Sequence, residues 1–302
     1  MISVDRKGPL YMIAASVCWS FGGLCIKFIP WGVMSIVGTR AFLAALVFAA
    51  YRKSVKLNIS RGNVLGALCL SATTILFVYA NKLTTAAAAI LLQFTAPIFI
   101  ILIELLLYRK KPALSAVIAV SLTILGMLMF FAGSLDAGNM LGNILAIVSG
   151  LSFAGVFVCN KRPDTEPEHA LFLGFLVNAV VGIPFFFFEA VGGASMATGP
   201  AAWVAAAFLG IVQVGLAYVF FTKGIKRTPA LLACLITAME PVLNPVLVML
   251  AGLIGFLPDI ETPGIYAIGG GAVIVLTVVS YNIWVEKHPA EQEKPAIDQK
   301  QA

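Results

Sequence analysis

Residues 112–135 read PALSAVIAVSLTILGMLMFFAGSL, twenty-four positions without a Lys, Arg, Asp or Glu. A helix needs about 20 apolar residues to cross a hydrocarbon core about 30 Å thick, and this stretch has that length. The run from Val117 to Phe131 is unbroken. It lacks the two-residue alternation of a membrane β-barrel strand. Stretches of the same kind fill the chain, at 8–26, 62–81, 83–103, 137–160, 169–188, 190–222, 241–258 and 262–285. Ten spans follow, at about 9–28, 33–51, 62–81, 84–108, 113–132, 140–160, 169–189, 201–223, 229–254 and 262–284. The breaks fall on turn chemistry such as Pro30, Lys111-Pro112, Asp136-Ala137-Gly138 and Gly199-Pro200. The expected fold is an all-α integral membrane protein of ten transmembrane helices.

Composition agrees. Hydrophobic residues make up 60% and charged residues 11%, against about 45–50% and about 25% in a soluble domain. Too few charges remain to coat a globule, which excludes an ordinary soluble enzyme, a disordered chain and a coiled coil. Arg6 and Lys7 precede the first apolar run as in a signal peptide. That run is as long as the others, and Cys25-Ile26-Lys27 makes a poor cleavage site, so it reads as a retained span.

The net charge of +6 has a location. With the N-terminus in the cytoplasm, seventeen Lys and Arg fall on the inner side. They lie in the tails and in the loops after spans two, four, six and eight, with only Lys27 and Lys82 outside. This asymmetry sets a plasma-membrane topology with both termini cytoplasmic. It accounts for the basic charge without a nucleic-acid partner. The five Cys form no CxxC pair and the two His stand at a span edge and in the tail. No metal or cofactor is expected. Without a GxxxxGK[ST] loop the chain does not itself hydrolyse ATP. Gly269-Gly270-Gly271 lies inside an apolar span and reads as close helix packing.

A shift of 144 residues lays Lys82-Leu83-Thr84-Thr85-Ala86 on Lys226-Arg227-Thr228-Pro229-Ala230, Ala89 on Ala233, and Pro97 on Pro241. A shift of 132 lays Ser20-Phe21-Gly22-Gly23 on Ser152-Phe153-Ala154-Gly155. Two five-span halves, 9–135 and 136–285, follow, between an N-terminal tail of residues 1–8 and a disordered cytoplasmic tail of residues 286–302. An odd number of spans inverts the second half, the plan of many transporters with a site near the midplane.

The pattern from Ala86 through Gln93 to Pro97 resembles the fourth helix of the EamA family in the drug/metabolite transporter superfamily. Ala233 to Val242, with its Glu240-Pro241-Val242 triplet, is similar to the family's ninth helix, and Trp19-Ser20 to its first. The likeness covers about residues 9–284. Where family members carry Gly-Glu after helices four and nine, this chain has Tyr108-Arg109 and Phe256-Leu257. The resemblance implies a ten-helix carrier, often an exporter of amino acids, metabolites or toxic, drug-like compounds.

Candidate site residues are those that apolar spans carry at a cost. Pro97, Pro241 and Pro245 break the helix ladder and free the carbonyls of Gln93 and Thr237, and such backbone is tolerated where it is packed on protein or lines a wet cavity. Glu240 stands near mid-span, where a charge costs roughly 2.5–3.5 kcal/mol. Arg40 is the basic residue inside a span. It can pair with Glu240, hold a carboxylate or snorkel outward. Trp19, Gln93, Gln213, Tyr218 and Asn244 complete the expected cavity lining, with Asn178 as a further candidate. Glu104, four residues from Tyr108, reads as interfacial, and Phe185 to Phe188 as lipid-facing. The expected function is a secondary exporter of small organic solutes by alternating access. Its partners are that solute and the lipid bilayer, and a homodimer is compatible with it. The alternatives are an integral membrane enzyme, which would need clustered His, Asp or Cys at one membrane face where none is seen, and a channel, which would favour a ring of like charges or a repeated filter.

The charge asymmetry makes a direct prediction. In a Cys-free background, Lys53→Cys, Lys111→Cys and Lys226→Cys react with impermeant maleimide only from the cytoplasm. Lys82→Cys, Asp136→Cys and Asp259→Cys react only from outside, and one clean reversal breaks the ten-span topology.

Overall fold

Each charge-free stretch that can be followed is helical, because only a helix satisfies its own backbone within one segment in lipid. The computed structural model describes residues 7–22, 29–132, 139–191, 200–243 and 264–288, and among them no strand occurs. The helices are α1 (Lys7–Ser20), α2 (Val33–Arg52), α3 (Arg61–Leu83), α4 (Ala86–Gln93), α5 (Ala96–Tyr108) and α6 (Leu114–Phe131). They continue with α7 (Met140–Cys159), α8 (Pro167–Val191) and α9 (Pro200–Phe208). A π-helical segment (Leu209–Leu216) leads into α10 (Ala217–Ile225), followed by α11 (Ala230–Thr237) and α12 (Ile265–Lys287). Among the described residues eight helices are long and apolar enough to cross a bilayer, and Ala230–Leu243 is a shorter apolar helix. Asn244, Pro245, Asp136 and Asp259 lie outside the described residues. So does the tail from residue 289; its expected start at 286 is corrected to helix, since α12 runs to Lys287.

Start signals are legible locally. The hydroxyls of Ser60 and Thr85 and the side-chain carbonyl of Asn139 each accept a backbone N–H from the first turn of α3, α4 and α7. Lys53 and Arg109, both at positive φ, close α2 and α5.

Helix pairing is organised by small residues. α2 packs on α8, α6 on α12, α3 on α7 and α8, and α1 on α10 and α11; α4 and α5 lie on α7, and the π segment on α2. At the α2–α8 crossing Gly38 meets Gly182, and at the α6–α12 crossing Gly126 meets Gly270. Lipid gives helices no hydrophobic reason to associate, so close backbone approach has to supply the contact. Both glycine pairs are separated by 144 residues, the offset already seen in the sequence. Large exposed apolar residues such as Leu106, Leu114 and Ile265 cover the outside. Phe185, Phe187 and Phe188 are exposed as expected. Phe186 instead turns inward against Trp31 and Trp203, with ring centroids 5.4 and 6.0 Å away.

The cationic loops gather at one end. Asn58 donates to Glu166 (2.8 Å) and, through its backbone N–H, to His169 Nδ1 (3.0 Å), while Ser60 donates to the carbonyl of Asp164 (2.6 Å). Lys226 meets Glu168 at 2.6 Å, and Lys223 lies over the rings of Tyr11 and Tyr51. Arg162 beside Asp164 (2.9 Å) holds that carboxyl below its usual range. Glu104 pairs with Lys110 at 3.5 Å. The loop ends around 53–60, 160–169 and 223–228 therefore share one basic end.

The glycine run provides the test. A Cβ at Gly269 meets only Met129 Cε at 3.7 Å, whereas one at Gly270 would collide with the Gly126 carbonyl and the Phe130 backbone. Gly270→Ala should destabilise by about 1–3 kcal/mol. Gly269→Ala should be neutral or stabilising by up to about 1 kcal/mol. Thermal unfolding of the purified variants in detergent checks the contrast.

Candidate functional site

The expected kinks are realised as breaks at matching positions. α4 ends at Gln93, Phe94 and Thr95 turn, and α5 restarts with Pro97 in its first turn. α11 ends at Thr237, Ala238 and Met239 turn, and the helix resumes at Glu240 before Pro241. The turn residues are again 144 apart. Hydroxyls compensate the loosened ladders. Thr95 donates to Leu92 O (2.6 Å) and Thr237 to Cys234 O (2.7 Å). From α1, the Ser16 hydroxyl, 3.0 Å from Met12 O of its own helix, also lies 3.4 Å from Ile236 O, and Ser20, 2.7 Å from Ser16 O, lies 3.1 Å from Glu240 O. Gly150 of α7 lies against the Gln93 and Leu92 carbonyls, where a Cβ would come within 2.7 and 3.2 Å.

Beside these breaks lies a cavity with about 90 Å³ of space open to water, enough for several water molecules. Trp19, Arg40, Gln93, Gln213, Tyr218 and Glu240 all line it. Six of the seven residues expected from sequence to line the cavity thus converge from α1, α2, α4, the π segment, α10 and the helix after α11. The seventh, Asn244, lies outside the described residues. Thr73, Thr74 and Phe77 of α3, Phe153 of α7, and Phe175 and Asn178 of α8 complete the wall. The mid-span Thr73-Thr74 pair was a readable polar signal, whereas the three Phe were indistinguishable from lipid-facing ones.

Its electrostatics are unusual for a membrane interior. Arg40 and Glu240 both face the cavity, yet among the described residues neither side chain has an ion pair within 4.0 Å or a hydrogen bond. Tyr218 lies within Coulombic reach of both. Trp19 is buried and stands edge-on to Tyr218, with centroids 5.1 Å apart, so it is a packed wall. Gln93 donates from Nε2 to Ser149 Oγ (2.8 Å), and Gln213 donates from Nε2 to Trp19 O (3.4 Å). Gly22 leaves room for that second amide, since a Cβ there would stand 2.8 Å from Gln213 Nε2. Asn178 is buried with neither amide atom partnered, and Gln213 Oε1 is likewise buried and unpartnered.

The π segment was not foreseen. Gly210 and Gly215 bring it onto Leu43 and Val47 of α2, and its widened turn carries Gln213. Such π turns occur often at functional sites. Among the described residues no group of three metal-ligating side chains occurs.

Residues 6–132 and 140–283 match the model of the EamA-like transporter family. An uncharacterized transporter of Archaeoglobus fulgidus is 28% identical over 206 residues, 67% of this chain and 69% of the relative. The uncharacterized transporter YwfM of Bacillus subtilis is 27% identical over 181 residues, 59% of this chain and 60% of the relative. The uncharacterized transporter YxxF of the same organism is 25% identical over 199 residues, 64% of this chain and 62% of the relative. A solved structure, described only as a crystal structure of a protein, superposes with TM-score 0.74 at 19% identity. It covers 93% of this chain and 99% of that one, which shows a shared fold.

If the cavity is wet, Thr74→Cys in a Cys-free background reacts with a small charged methanethiosulfonate. Leu125→Cys, on the exposed face of α6, stays unlabelled under the same conditions. Equal labelling of the two removes the cavity assignment.

Proposed function

The chain belongs to the EamA-like transporter family, and from that premise we propose that it is a secondary carrier of small organic solutes with the mid-span cavity as its substrate site. The observation that carries this is the pair of unpaired opposite charges, Arg40 and Glu240, facing one cavity. An isolated charge is costly in hydrocarbon and marks a substrate path or a relay. Arg40 presents a planar fork of donors suited to a carboxylate. Glu240 suits an ammonium or another cationic group, and the Trp19 and Tyr218 rings suit its apolar part. The substrate class is therefore a zwitterion or a carboxylate-bearing metabolite of amino-acid size.

Alternating access is the mechanism that fits. It rests on reading the chain as ten helices in two inverted halves, five in each of the segments 9–135 and 136–285. The helix contacts map onto themselves when the two segments are exchanged: α3 on α7 corresponds to α10 on α1, and α4 on α7 to α11 on α1. α2 with α8 and α6 with α12 are each their own counterpart. The family model also matches once in each segment. The basic end faces the cytoplasm of a plasma membrane, both termini included, on the strength of the Lys and Arg asymmetry. Export is the direction proposed. The bound solute is released without covalent change, so no catalytic residue and no cofactor enters.

Reconstitution tests the reading. Proteoliposomes preloaded with a mixture of amino acids should accumulate at least one radiolabelled member by counterflow. Arg40→Gln and Glu240→Gln should each weaken apparent affinity by about ten-fold or more. Trp19→Ala should reduce it for aromatic or cationic substrates most. Wild-type kinetics in all three variants, at normal membrane insertion, moves the site elsewhere.

A further inference from the structure

The two cavity glutamines have amide orientations that the surrounding network dictates. Trp19 O is a backbone carbonyl and only accepts, so the Gln213 atom 3.4 Å from it is the amide nitrogen. Ser149 has one hydroxyl proton, and it is donated to Thr73 O at 3.0 Å. Ser149 Oγ therefore accepts from Gln93, which commits that amide nitrogen, too, to a partner on the protein. Each amide oxygen is left uncommitted, together with the second hydrogen of each amide nitrogen, and in Gln213 that oxygen is buried without a partner.

The wall's other polar groups divide by role. Gln93 Oε1, Gln213 Oε1 and Asn178 Oδ1 only accept, Arg40, Asn178 Nδ2 and the Trp19 indole N–H only donate, and the Thr74 and Tyr218 hydroxyls can do either. A buried acceptor without a donor is expensive, so a ligand that brings N–H hydrogens to the two glutamine oxygens relieves that cost. We infer that Gln93 and Gln213 form an acceptor pair that selects substrates with an unsubstituted primary ammonium head and rejects their N-methylated counterparts. This rests on the carrier reading of the cavity and adds the feature that it discriminates. Coulombic attraction to Glu240 alone is indifferent to methylation, since a trimethylammonium carries the same charge. Cation–π attraction to Trp19 or Tyr218 tolerates methylated cations equally. A preference for N–H therefore identifies the oxygens as the reading groups. Replacing a hydrogen by a methyl leaves an oxygen unpaired and adds volume in a cavity of about 90 Å³. Ser149 is a positioning residue: it touches no ligand and acts through the Gln93 amide.

The test uses two probe series, alanine and phenylalanine. Each is supplied as the free amine, the N-methyl and the N,N,N-trimethyl form. Ligand-induced thermal stabilisation of the purified full-length protein and inhibition of counterflow are both measured. The expected result is a loss of roughly ten-fold or more in affinity on the first methylation of at least one series. Gln213→Met and Gln93→Met should collapse that ratio toward one. Ser149→Ala, which only frees the Gln93 amide to turn, should lower it partway while the protein still folds. Equal affinity across both series in the wild type overturns the inference but leaves the carrier reading standing if counterflow persists. A ratio unchanged in folded Gln213→Met, Gln93→Met and Ser149→Ala overturns it as well. If no member of either series binds or is exchanged, the acceptor-pair reading falls, and the failure of counterflow with the full amino-acid mixture takes the carrier reading with it.

Discussion

Hydrocarbon offers no hydrogen bonds, and the rest of this protein follows from that. Every backbone group in a span must find its partner inside the protein, which forces helices and makes each interruption costly. The two interruptions, at Phe94-Thr95 and at Ala238-Met239, are permitted because other helices stand beside them. Ser16 and Ser20 reach from α1 to carbonyls around the second break. Gly150 lets the α7 backbone come down on the first. At these two breaks the proline is accompanied by a hydroxyl or a glycine on another helix.

The same absence of water shapes helix association. Because lipid competes equally with leucine for leucine, the large side chains face outward and the smallest mediate contact. Gly38 against Gly182 and Gly126 against Gly270 show what that requires: two backbones in touch, with no room for a methyl. Charged groups follow the complementary rule. Those at the basic end find loops, rings and water, where exposed ion pairs contribute little to stability, about 0–1 kcal/mol each. Arg40 and Glu240 line the mid-span cavity instead. The cavity is where the costs of broken backbone, buried amides and buried charge are all met at once. That is why the residues least suited to a membrane converge on it.

Reading the chain alone reached most of this site. Pro97, Pro241, Glu240 and Arg40 stand out because each violates the apolar rule of its surroundings, and violations are visible in one dimension. Trp19, Gln93, Gln213 and Tyr218 were legible for a related reason, as polar or amphipathic groups in mid-span. Phe153 and Phe175 were not, since a phenylalanine facing a cavity and one facing lipid have the same neighbours in sequence. The inward turn of Phe186 among three exposed phenylalanines is the same ambiguity at closer range.

What the sequence determined by itself was the solvent: the length of each apolar run, the placement of the positive charges and the 144-residue echo between segments required no coordinates. They depend only on local composition and spacing, which the chain states directly. The tertiary structure decided which faces of those helices look at each other. Whether Arg40 meets Glu240 or only shares a cavity with it depends on crossings set by glycines far away in the chain. Which end of each glutamine amide is committed to the protein depends on a serine and a carbonyl 56 and 194 residues distant. Hydrogen-bond direction belongs to pairs of groups, and those pairs exist only once the helices have packed.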